Sequence, residues 1–302
     1  MQLNGWDCHL SFVICHLLFV ICHLLFVICH LSFVICYLSF VKLFMNQSSL
    51  KSITSYHWQD IRLIATDMDG TLTQGEKFDS KLFEILTRLS AAGIDVLMTT
   101  GRSAGWVQAI ATYLPVVGAI AENGGLLYWN HDPQPQVISE INIDQHRQQL
   151  EEVFKLLQAK FPQIRESWDN RFRLTDWTFD VENLSSTELK QIDDVCQSQG
   201  YGFTYSSIQC HIKPTYQDKA FGLNKIIPQY FPDLKLSEIL TIGDSPNDES
   251  MFNQSEFPLS VGVANVKQYC DRLKYLPAYV TSKSEAEGFF ELAELIMSTY
   301  KN

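Results

Sequence analysis

Short apolar runs alternate with amphipathic helical patterns from about residue 60 onward, and these runs end in polar clusters. Residues 61–65 form one such run, which leads into Asp67-Met68-Asp69-Gly70-Thr71. The next run, residues 94–98, leads into Thr99-Thr100-Gly101-Arg102. This alternation predicts an α/β fold with a doubly wound, Rossmann-like parallel sheet. Ligands of such sheets bind beyond the carboxyl ends of the strands, so we expect the polar clusters to form the functional site.

The same pattern appears in a third run and returns in the last third of the chain. Residues 116–121 precede Glu122-Asn123-Gly124-Gly125, and residues 239–242 precede Gly243-Asp244-Ser245-Pro246-Asn247-Asp248. The apolar periodicity predicts a helix over residues 218–230 between these two places. We therefore predict one core that is built from two separated stretches of the chain.

The block between these stretches mixes helices and strands in a different order. Two helical patterns flank short runs that predict strands at residues 172–174 and 178–181, and a hairpin follows over residues 201–213. This order predicts an α+β domain inserted into the core. The predicted organisation is a linker over residues 45–59, a core over residues 60–129 and 213–302, and a cap over residues 130–212.

The first 44 residues carry an apolar repeat of seven residues, close to HLSFVIC. A coiled coil is excluded because the charged flanking positions are missing. Two interpretations stay open for residues 8–41. They exceed the ~20 residues that span a bilayer, which favours a membrane anchor. Three copies of the heptanucleotide TTTGTCA also encode the repeated unit, so the segment can be a translated DNA repeat, with Met45 as the expected start.

Charge and cysteine content limit the remaining classes of protein. The net charge is −11 with a pI near 5.1, which argues against a nucleic-acid binder. Five of the eight cysteines lie in the repeat, and the other three, Cys196, Cys210 and Cys270, form no CxxC pair. We expect reduced thiols and therefore a cytoplasmic protein.

The polar clusters contain more carboxylates than a plain loop needs. Asp67 and Asp69 stand two residues apart, and Asp244 and Asp248 follow a distant strand. Crowded carboxylates repel one another unless a cation lies among them, and Mg²⁺ prefers such oxygen ligands together with phosphate oxygens. A carboxylate can also form an aspartyl-phosphate as a nucleophile. Thr100, the Gly101 amide and Lys219 supply donors for phosphate oxygens.

The four motifs in this order resemble those of the haloacid dehalogenase (HAD) superfamily of phosphohydrolases. They are the clusters at residues 67–71, 99–102 and 243–248, together with Lys219. The resemblance covers about residues 60–295 and is closest to the Cof-like and sugar-phosphatase branch, which has a large α+β cap. It implies Mg²⁺-dependent hydrolysis of a small phosphomonoester, such as a sugar phosphate, through an aspartyl-phosphate.

The resemblance also assigns roles to individual residues. Asp67 would be the nucleophile and Asp69 the general acid and base. Mg²⁺ would be held by Asp67, the backbone carbonyl of Asp69 and Asp244, with Asp248 nearby. The transferring phosphoryl group would be bound by Thr100, Gly101 and Lys219, with Asn247 beside it.

Further residues could meet the substrate, although ordinary structural roles are open for each of them. These candidates are Asn123, Arg171, Arg173 and His211. Two alternative functions also stay open, a phosphosugar mutase similar to phosphomannomutase and a non-catalytic or membrane-anchored binding protein. We expect a small-molecule phosphate ester as the partner, no nucleic acid, and a membrane only if residues 1–44 are expressed. The sequence leaves the oligomeric state open.

Overall fold

The computed structural model describes residues 16, 18, 21–35, 37, 50–130, 132, 134–206 and 208–300. The chain divides into two compact units, residues 1–49 and 50–302. Residues 21–35 of the first unit are helical. No helix within the described residues combines the length and the apolarity that crossing a membrane requires. Much of the heptapeptide repeat lies outside the described residues, so the anchor over residues 8–41, the translated repeat and the start at Met45 stay predictions.

The described part of the second unit contains two sheets. Its strands are β1 Lys51–Ser52, β2 Leu63–Thr66, β3 Asp95–Thr99, β4 Gly118–Ala121, β5 Leu126–Trp129, β6 Gln136–Val137, β7 Trp177–Asp180, β8 Tyr201–Tyr205, β9 Gln209–Pro214, β10 Ile239–Gly243, β11 Leu259–Gly262 and β12 Tyr279–Val280. The larger sheet has the order β1-β12-β11-β10-β2-β3-β4-β5-β6. Its pairs are parallel from β1 to β4, whereas β5 runs antiparallel to both neighbours.

Helices cover both faces of the larger sheet. The longer helices of the described second unit are α1 Ser80–Ala91, α2 Ala104–Tyr113, α3 Ile143–Lys160, α4 Ser186–Ser198, α5 Lys219–Tyr230 and α6 Glu285–Thr299. Successive side chains of a strand point to opposite faces. Accordingly, Ile64 packs with residues of α1, α2 and α6, whereas Leu63 and Ala65 pack with α5. The predicted doubly wound α/β fold is thereby confirmed.

The smaller sheet has the order β7-β9-β8 and is antiparallel. Apolar residues of α3 and α4 pack against it in a hydrophobic cluster of their own. The helix α4 begins at a capping box, in which Ser185 and Glu188 satisfy each other's backbone amides. This sheet lies in the block predicted as an inserted α+β cap, except that β9 continues to Pro214, two residues past the predicted boundary at residue 212. The boundaries at residues 130 and 212 stay a prediction.

Two expectations from the sequence differ from the structure. Residues 172–174 do not form a strand. A short helical turn, Trp168–Phe172, ends there, and the backbone amide of Leu174 donates to the Glu122 carboxylate at 3.1 Å, so it is engaged with the core. Residues 50–59, predicted as part of a linker, lie at the sheet edge. The strand β1 pairs with β12, and Ile53 and Trp58 are buried, because these two apolar side chains anchor an otherwise polar segment.

Candidate active site

The carboxyl ends of three adjacent parallel strands bring the acidic clusters together. Asp67 follows β2, Thr100 follows β3 and Asp244 follows β10. The backbone amide of Asp67 donates to the carbonyl of Ile242 at 2.8 Å, which continues the pairing of β2 with β10 beyond the last residue of β2. Asp67 and Asp244, which are 177 positions apart in the chain, therefore become neighbours.

Three buried carboxylates and one lysine form the centre of this site. Asp67, Asp244 and Asp248 each offer an oxygen within 4.8 Å of the others. The ammonium group of Lys219, the first residue of α5, donates to Asp67 and to Oδ1 of Asp248, the latter at 2.6 Å. All four side chains are at least nine-tenths buried. The structure thus brings together four residues that sequence analysis assigned to the site.

The electrostatics of this cluster favour a bound cation. Burial, reinforced by the charge of Asp248, raises the pKa of Asp67 to about 7. Burial and the charges of Asp67 and Asp248 raise the pKa of Asp244 well above its usual value. The pKa of Lys219 is raised by Asp248 and Asp67, although burial opposes this. One ammonium group cannot balance three carboxylates, and hard oxygen ligands suit Mg²⁺, so the residues present fit the predicted metal.

Asp248 differs from the other two carboxylates because both of its oxygens are already engaged. Oδ1 accepts from Lys219, and Oδ2 accepts from the backbone amides of Asp244 and Ser245 at 2.8 and 3.0 Å. The side chain therefore shapes the loop that carries Asp244. Its predicted position near the metal stays a prediction.

Asn265 holds the metal-facing loops together, and sequence analysis missed it. Its Nδ2 donates to Oδ2 of Asp244 at 2.8 Å and to the carbonyl of Gly70 at 3.1 Å. Asn265 follows β11 in a short turn, outside every motif recognised in the sequence. A single polar residue after a strand was the only signal that could have identified it.

The second aspartate of the first motif is paired with an arginine. Two nitrogens of Arg102 donate to the two oxygens of Asp69, at 2.8 and 2.6 Å, and the guanidinium lies over the ring of Trp106. Bidentate pairs of this kind combine charge with a fixed geometry. Sequence analysis quoted Arg102 within its motif but gave it no role.

The predicted phosphate-binding residues lie beside this pair. The Thr100 hydroxyl accepts from the backbone amide of Arg102 at 3.2 Å. Nδ2 of Asn247 donates to Oδ1 of Asn123 at 3.1 Å, which leaves Nδ2 of Asn123 buried without a partner. One cavity is lined by core residues from all of these clusters, namely Asp67, Asp69, Gly101, Arg102, Ser245 and Asn247.

The predicted substrate residues of the cap occupy different environments. Arg171 is exposed and stacks against Trp168 and Phe172, outside this cavity lining. Arg173 is buried, and its guanidinium donates to the Gly101 carbonyl at 2.9 Å and to Asp176 at 3.0 Å. His211 lines the cavity, with Nδ1 2.8 Å from Asp176. Of the three candidates, His211 alone faces the space beside Asp67.

Glu122 joins the core to residues 174–175, and sequence analysis passed over it. Its carboxylate accepts from the backbone amide of Ala104, the first residue of α2, at 3.0 Å. It also accepts from the backbone amides of Leu174 and Thr175 and from the Thr175 hydroxyl. Burial and the charge of Asp176 raise the pKa of Glu122 to about 7. The signal in the sequence was a carboxylate directly after a strand.

The cavity between these groups is small. The space open to the centre of a water-sized molecule is about 10 Å³, which is enough for about one water. Core residues form one wall, and Ser206, Ile208, Gln209 and His211 form the other. A substrate of any size requires these walls to separate.

Comparisons with known proteins agree with this geometry. The profile of haloacid dehalogenase-like hydrolases matches residues 64–168 and 163–291. A phosphoglycolate phosphatase of Thermoplasma acidophilum is 30% identical over 229 residues, which cover 75% of this chain and 94% of the relative. A crystallised Thermoplasma acidophilum protein superposes with a TM-score of 0.64 at 26% identity, covering 79% of this chain and 98% of that one.

A more distant likeness concerns the fold. The C-terminal domain of a C. albicans trehalose-6-phosphate phosphatase superposes with a TM-score of 0.60 at 16% identity, covering 79% of this chain and 93% of that one. The family profile extends over more than half of the chain and includes the strands that carry Asp67, Thr100 and Asp244. The chain therefore belongs to the haloacid dehalogenase-like hydrolases and is a Cof-like phosphatase of that family.

Proposed function

We propose that this phosphatase hydrolyses a small phosphomonoester with Mg²⁺, through an aspartyl-phosphate on Asp67. The observation that carries the proposal is the position of Asp67. Its carboxylate is buried beside two further carboxylates and Lys219, yet it lines the same cavity as Asp69. A nucleophile and a proton donor thus face one space from a single loop.

In the first step, an oxygen of the Asp67 carboxylate attacks phosphorus, and the bond between phosphorus and the ester oxygen breaks. Asp69 gives its proton to the leaving oxygen. Lys219, the Thr100 hydroxyl and the Gly101 amide donate to the phosphoryl oxygens. Asp67, the Asp69 carbonyl and Asp244 would hold Mg²⁺, which would supply positive charge that stabilises the phosphoryl group.

In the second step, Asp69 takes a proton from a water molecule, whose oxygen attacks phosphorus. The bond between phosphorus and Asp67 breaks, which restores the carboxylate and releases inorganic phosphate. The proton remains on Asp69 for the next cycle, so the two steps balance.

The pairing of Asp69 with Arg102 fits a resting state of this cycle. Both oxygens of Asp69 accept from Arg102, so neither can meet the leaving oxygen while the pair is intact. Asp69 must carry a proton in the first step. The pair must therefore separate when substrate binds.

Two substrate classes are supported, each by a different line of evidence. The resemblance to the Cof-like and sugar-phosphatase branch, with its large cap, points to a sugar phosphate, and the Thermoplasma acidophilum relative is named for phosphoglycolate. We also propose a cytoplasmic location, because the three cysteines outside the repeat are widely spaced without a CxxC motif, which suits a reducing compartment.

The test is release of inorganic phosphate from a panel of sugar phosphates and phosphoglycolate, with and without Mg²⁺. Asp67→Asn removes the nucleophile, so we expect phosphate release to fall at least about a thousandfold. Asp233→Asn is the matched control, because Asp233 is exposed and lies outside the lining of the cavity. Thermal unfolding of each variant shows that it is folded.

Two results would contradict the proposal. Turnover retained in Asp67→Asn would exclude the aspartyl-phosphate on this residue. An isomerised sugar phosphate without free phosphate would favour the mutase alternative instead.

A further inference from the structure

Two polar atoms beside the catalytic loop have no hydrogen-bond partner within the described residues. One is Nδ2 of Asn123, on the core side, in a residue that is 1% exposed. The other is Nε2 of His211, on the cap side, in a residue that lines the cavity. A buried donor without a partner opposes folding, because water satisfies it in the unfolded chain. This cost falls on Nδ2 of Asn123, and a ligand in the cavity that contacts both atoms would remove it.

The two atoms meet at Gly101. A Cβ atom at this position would lie 3.1 Å from Nε2 of His211 and 3.2 Å from Nδ2 of Asn123. Only glycine leaves both side chains room to approach this point. The cap and the core thus present one nitrogen each beside the loop that is expected to bind the phosphoryl group.

The partners of His211 decide what its free nitrogen can do. Nδ1 lies 2.8 Å from Oδ2 of Asp176, and Asp176 also pairs with the buried Arg173 at 3.0 Å. Burial alone would raise the pKa of Asp176, but Arg173 and His211 lower it below its usual value. The ionised carboxylate requires a proton on Nδ1. In the neutral ring Nε2 is then a hydrogen-bond acceptor.

The other cap side chains in the cavity lining have no free group of this kind. Gln209 accepts from Arg173 at 2.8 Å and donates to Asp169 at 3.3 Å. The Ser206 hydroxyl accepts from the backbone amides of Ile208 and Gln209, and Ile208 is apolar. The Ser206 proton stays available, but among the described cap side chains of this lining the His211 ring carries the acceptor without a partner.

The nearby cations are already paired. Arg102 contacts both oxygens of Asp69, Lys219 lies between Asp67 and Asp248, and Arg173 is saturated by carboxylates and carbonyl oxygens. A carboxylate in the leaving group would have to displace the partners of Arg173, the cation beside the His211–Asp176 contact. A neutral hydroxyl would displace none of them, because it can accept from Asn123 and donate to His211.

We propose that Nδ2 of Asn123 and Nε2 of His211 together hold one hydroxyl group of the leaving group beside Gly101. Asp176 is a positioning residue, because it acts by orienting the His211 ring. This inference rests on the proposed phosphatase reaction and adds to it the residues that select the leaving group.

The experiment compares 2-hydroxyethyl phosphate with ethyl phosphate, two esters that differ by one hydroxyl. The wild-type enzyme is expected to favour the hydroxylated ester in kcat/KM by about tenfold or more, the effect of one buried hydrogen-bonded pair. In His211→Phe, which keeps an aromatic ring without the nitrogens, this ratio is expected to fall towards one. His211→Gln, which places an amide near the same point, is expected to retain part of it.

Asp176→Asn tests the positioning role. The amide of this variant does not require a proton on Nδ1 of His211. The ratio of kcat/KM for the two esters is therefore expected to fall in this variant as well. Phosphoglycolate, which carries a carboxylate in the same place as the hydroxyl, is expected to be a poorer substrate than 2-hydroxyethyl phosphate. Thermal unfolding confirms that each variant is folded. If Asp176→Asn does not fold, the ratio of kcat/KM in His211→Gln still tests the subsite.

Each outcome has a distinct meaning. Equal kcat/KM for the two esters in the wild type overturns the subsite. An equal loss on both esters in His211→Phe also overturns it, because that is the result of a purely structural role. If the wild type releases phosphate from none of these esters or the sugar phosphates, the proposed function itself fails, and the subsite fails with it.

Discussion

Gly70 is the residue whose backbone allows the loop of Asp67 and Asp69 to approach Asp244. Its φ is +82°, a conformation that glycine adopts without strain, and a Cβ atom there would lie 2.6 Å from Oδ2 of Asp244. Its carbonyl also accepts from Asn265, which holds the same Asp244 oxygen. The glycine thus serves the turn and the metal site together.

Gly70→Ala should therefore introduce a steric clash with Asp244 in addition to strain in the left-handed backbone. Gly93→Ala is a matched control, because Gly93 has a φ of +79° with nothing within 4 Å of its Cβ position. Both variants should lose about 1–2 kcal/mol of unfolding free energy from the left-handed conformation. Gly70→Ala should lose more than Gly93→Ala and should also bind Mg²⁺ more weakly. Urea denaturation and calorimetric titration with Mg²⁺ measure the two effects, and equal behaviour of the variants would contradict this role of Gly70.

At the scale of elements, Glu122 connects the N-terminus of α2 to residues 174–175. A carboxylate beside the free amides of a helix N-terminus interacts favourably with them and with the helix dipole. The same carboxylate accepts from the Thr175 amide at 2.6 Å, so one side chain fixes both elements. Arg173 adds a second connection through the Gly101 carbonyl. These two contacts set the position of the cavity wall that contains His211.

The pKa of Glu122 predicts how this connection responds to pH. Folding raises its pKa from 4.5 to about 7, so the folded state binds the proton more tightly than the unfolded state. The corresponding stabilisation is present below pH 4.5 and is lost as the pH rises to about 7. The unfolding free energy of the wild type should fall over this range relative to that of Glu122→Gln, whose amide does not titrate. Denaturation at several pH values with saturating Mg²⁺ measures the difference, and parallel pH profiles would contradict it.

At the scale of the whole molecule, the fold buries a cluster of negative charges at the carboxyl edge of the larger sheet. The chain carries a net charge of −11, and three of its carboxylates are buried together with one lysine. Mutual repulsion in this cluster opposes folding. A divalent cation that binds the folded state should relieve it and stabilise the whole protein.

Mg²⁺ should accordingly raise the thermal unfolding temperature in a saturable way. At about a hundredfold excess over Kd the expected gain is about 2.7 kcal/mol, which corresponds to several degrees for a chain of this size. Asp244→Asn should remove most of this gain, whereas Asp233→Asn should keep it. Scanning calorimetry with EDTA or Mg²⁺ measures the shift, and a metal response retained in Asp244→Asn would exclude Asp244 as a ligand.

The first 44 residues should be dispensable for the reaction. Every site residue assigned above lies in the unit of residues 50–302. A chain of residues 45–302 should therefore keep the kcat and KM of the full chain within about twofold on its best substrate. A large loss of activity on truncation would assign a catalytic contribution to the heptapeptide repeat.

Local sequence was sufficient for the α/β core and for most of the residues that meet at the carboxyl edge of its sheet. Apolar periodicity locates strands and helices, and a polar cluster after a strand marks the carboxyl edge of a parallel sheet. Asp67 and Asp244 could be placed in one site on this basis and Lys219 through the resemblance to the HAD motifs, and the structure brings the three together. The sheet-edge position of Ile53 and Trp58 was missed because these two apolar residues lie within a polar segment.

The tertiary structure alone decided which side chains are free to act. Arg173 and His211 were equal candidates in the sequence, yet folding saturates Arg173 with carboxylates and leaves one nitrogen of His211 facing the cavity. The pairing of Arg102 with Asp69 and the roles of Glu122 and Asn265 likewise depend on contacts between distant segments. Sequence determines the local pattern and the chemistry available, because these depend on near neighbours. Hydrogen-bond partners and burial are long-range properties, so only the folded chain assigns them.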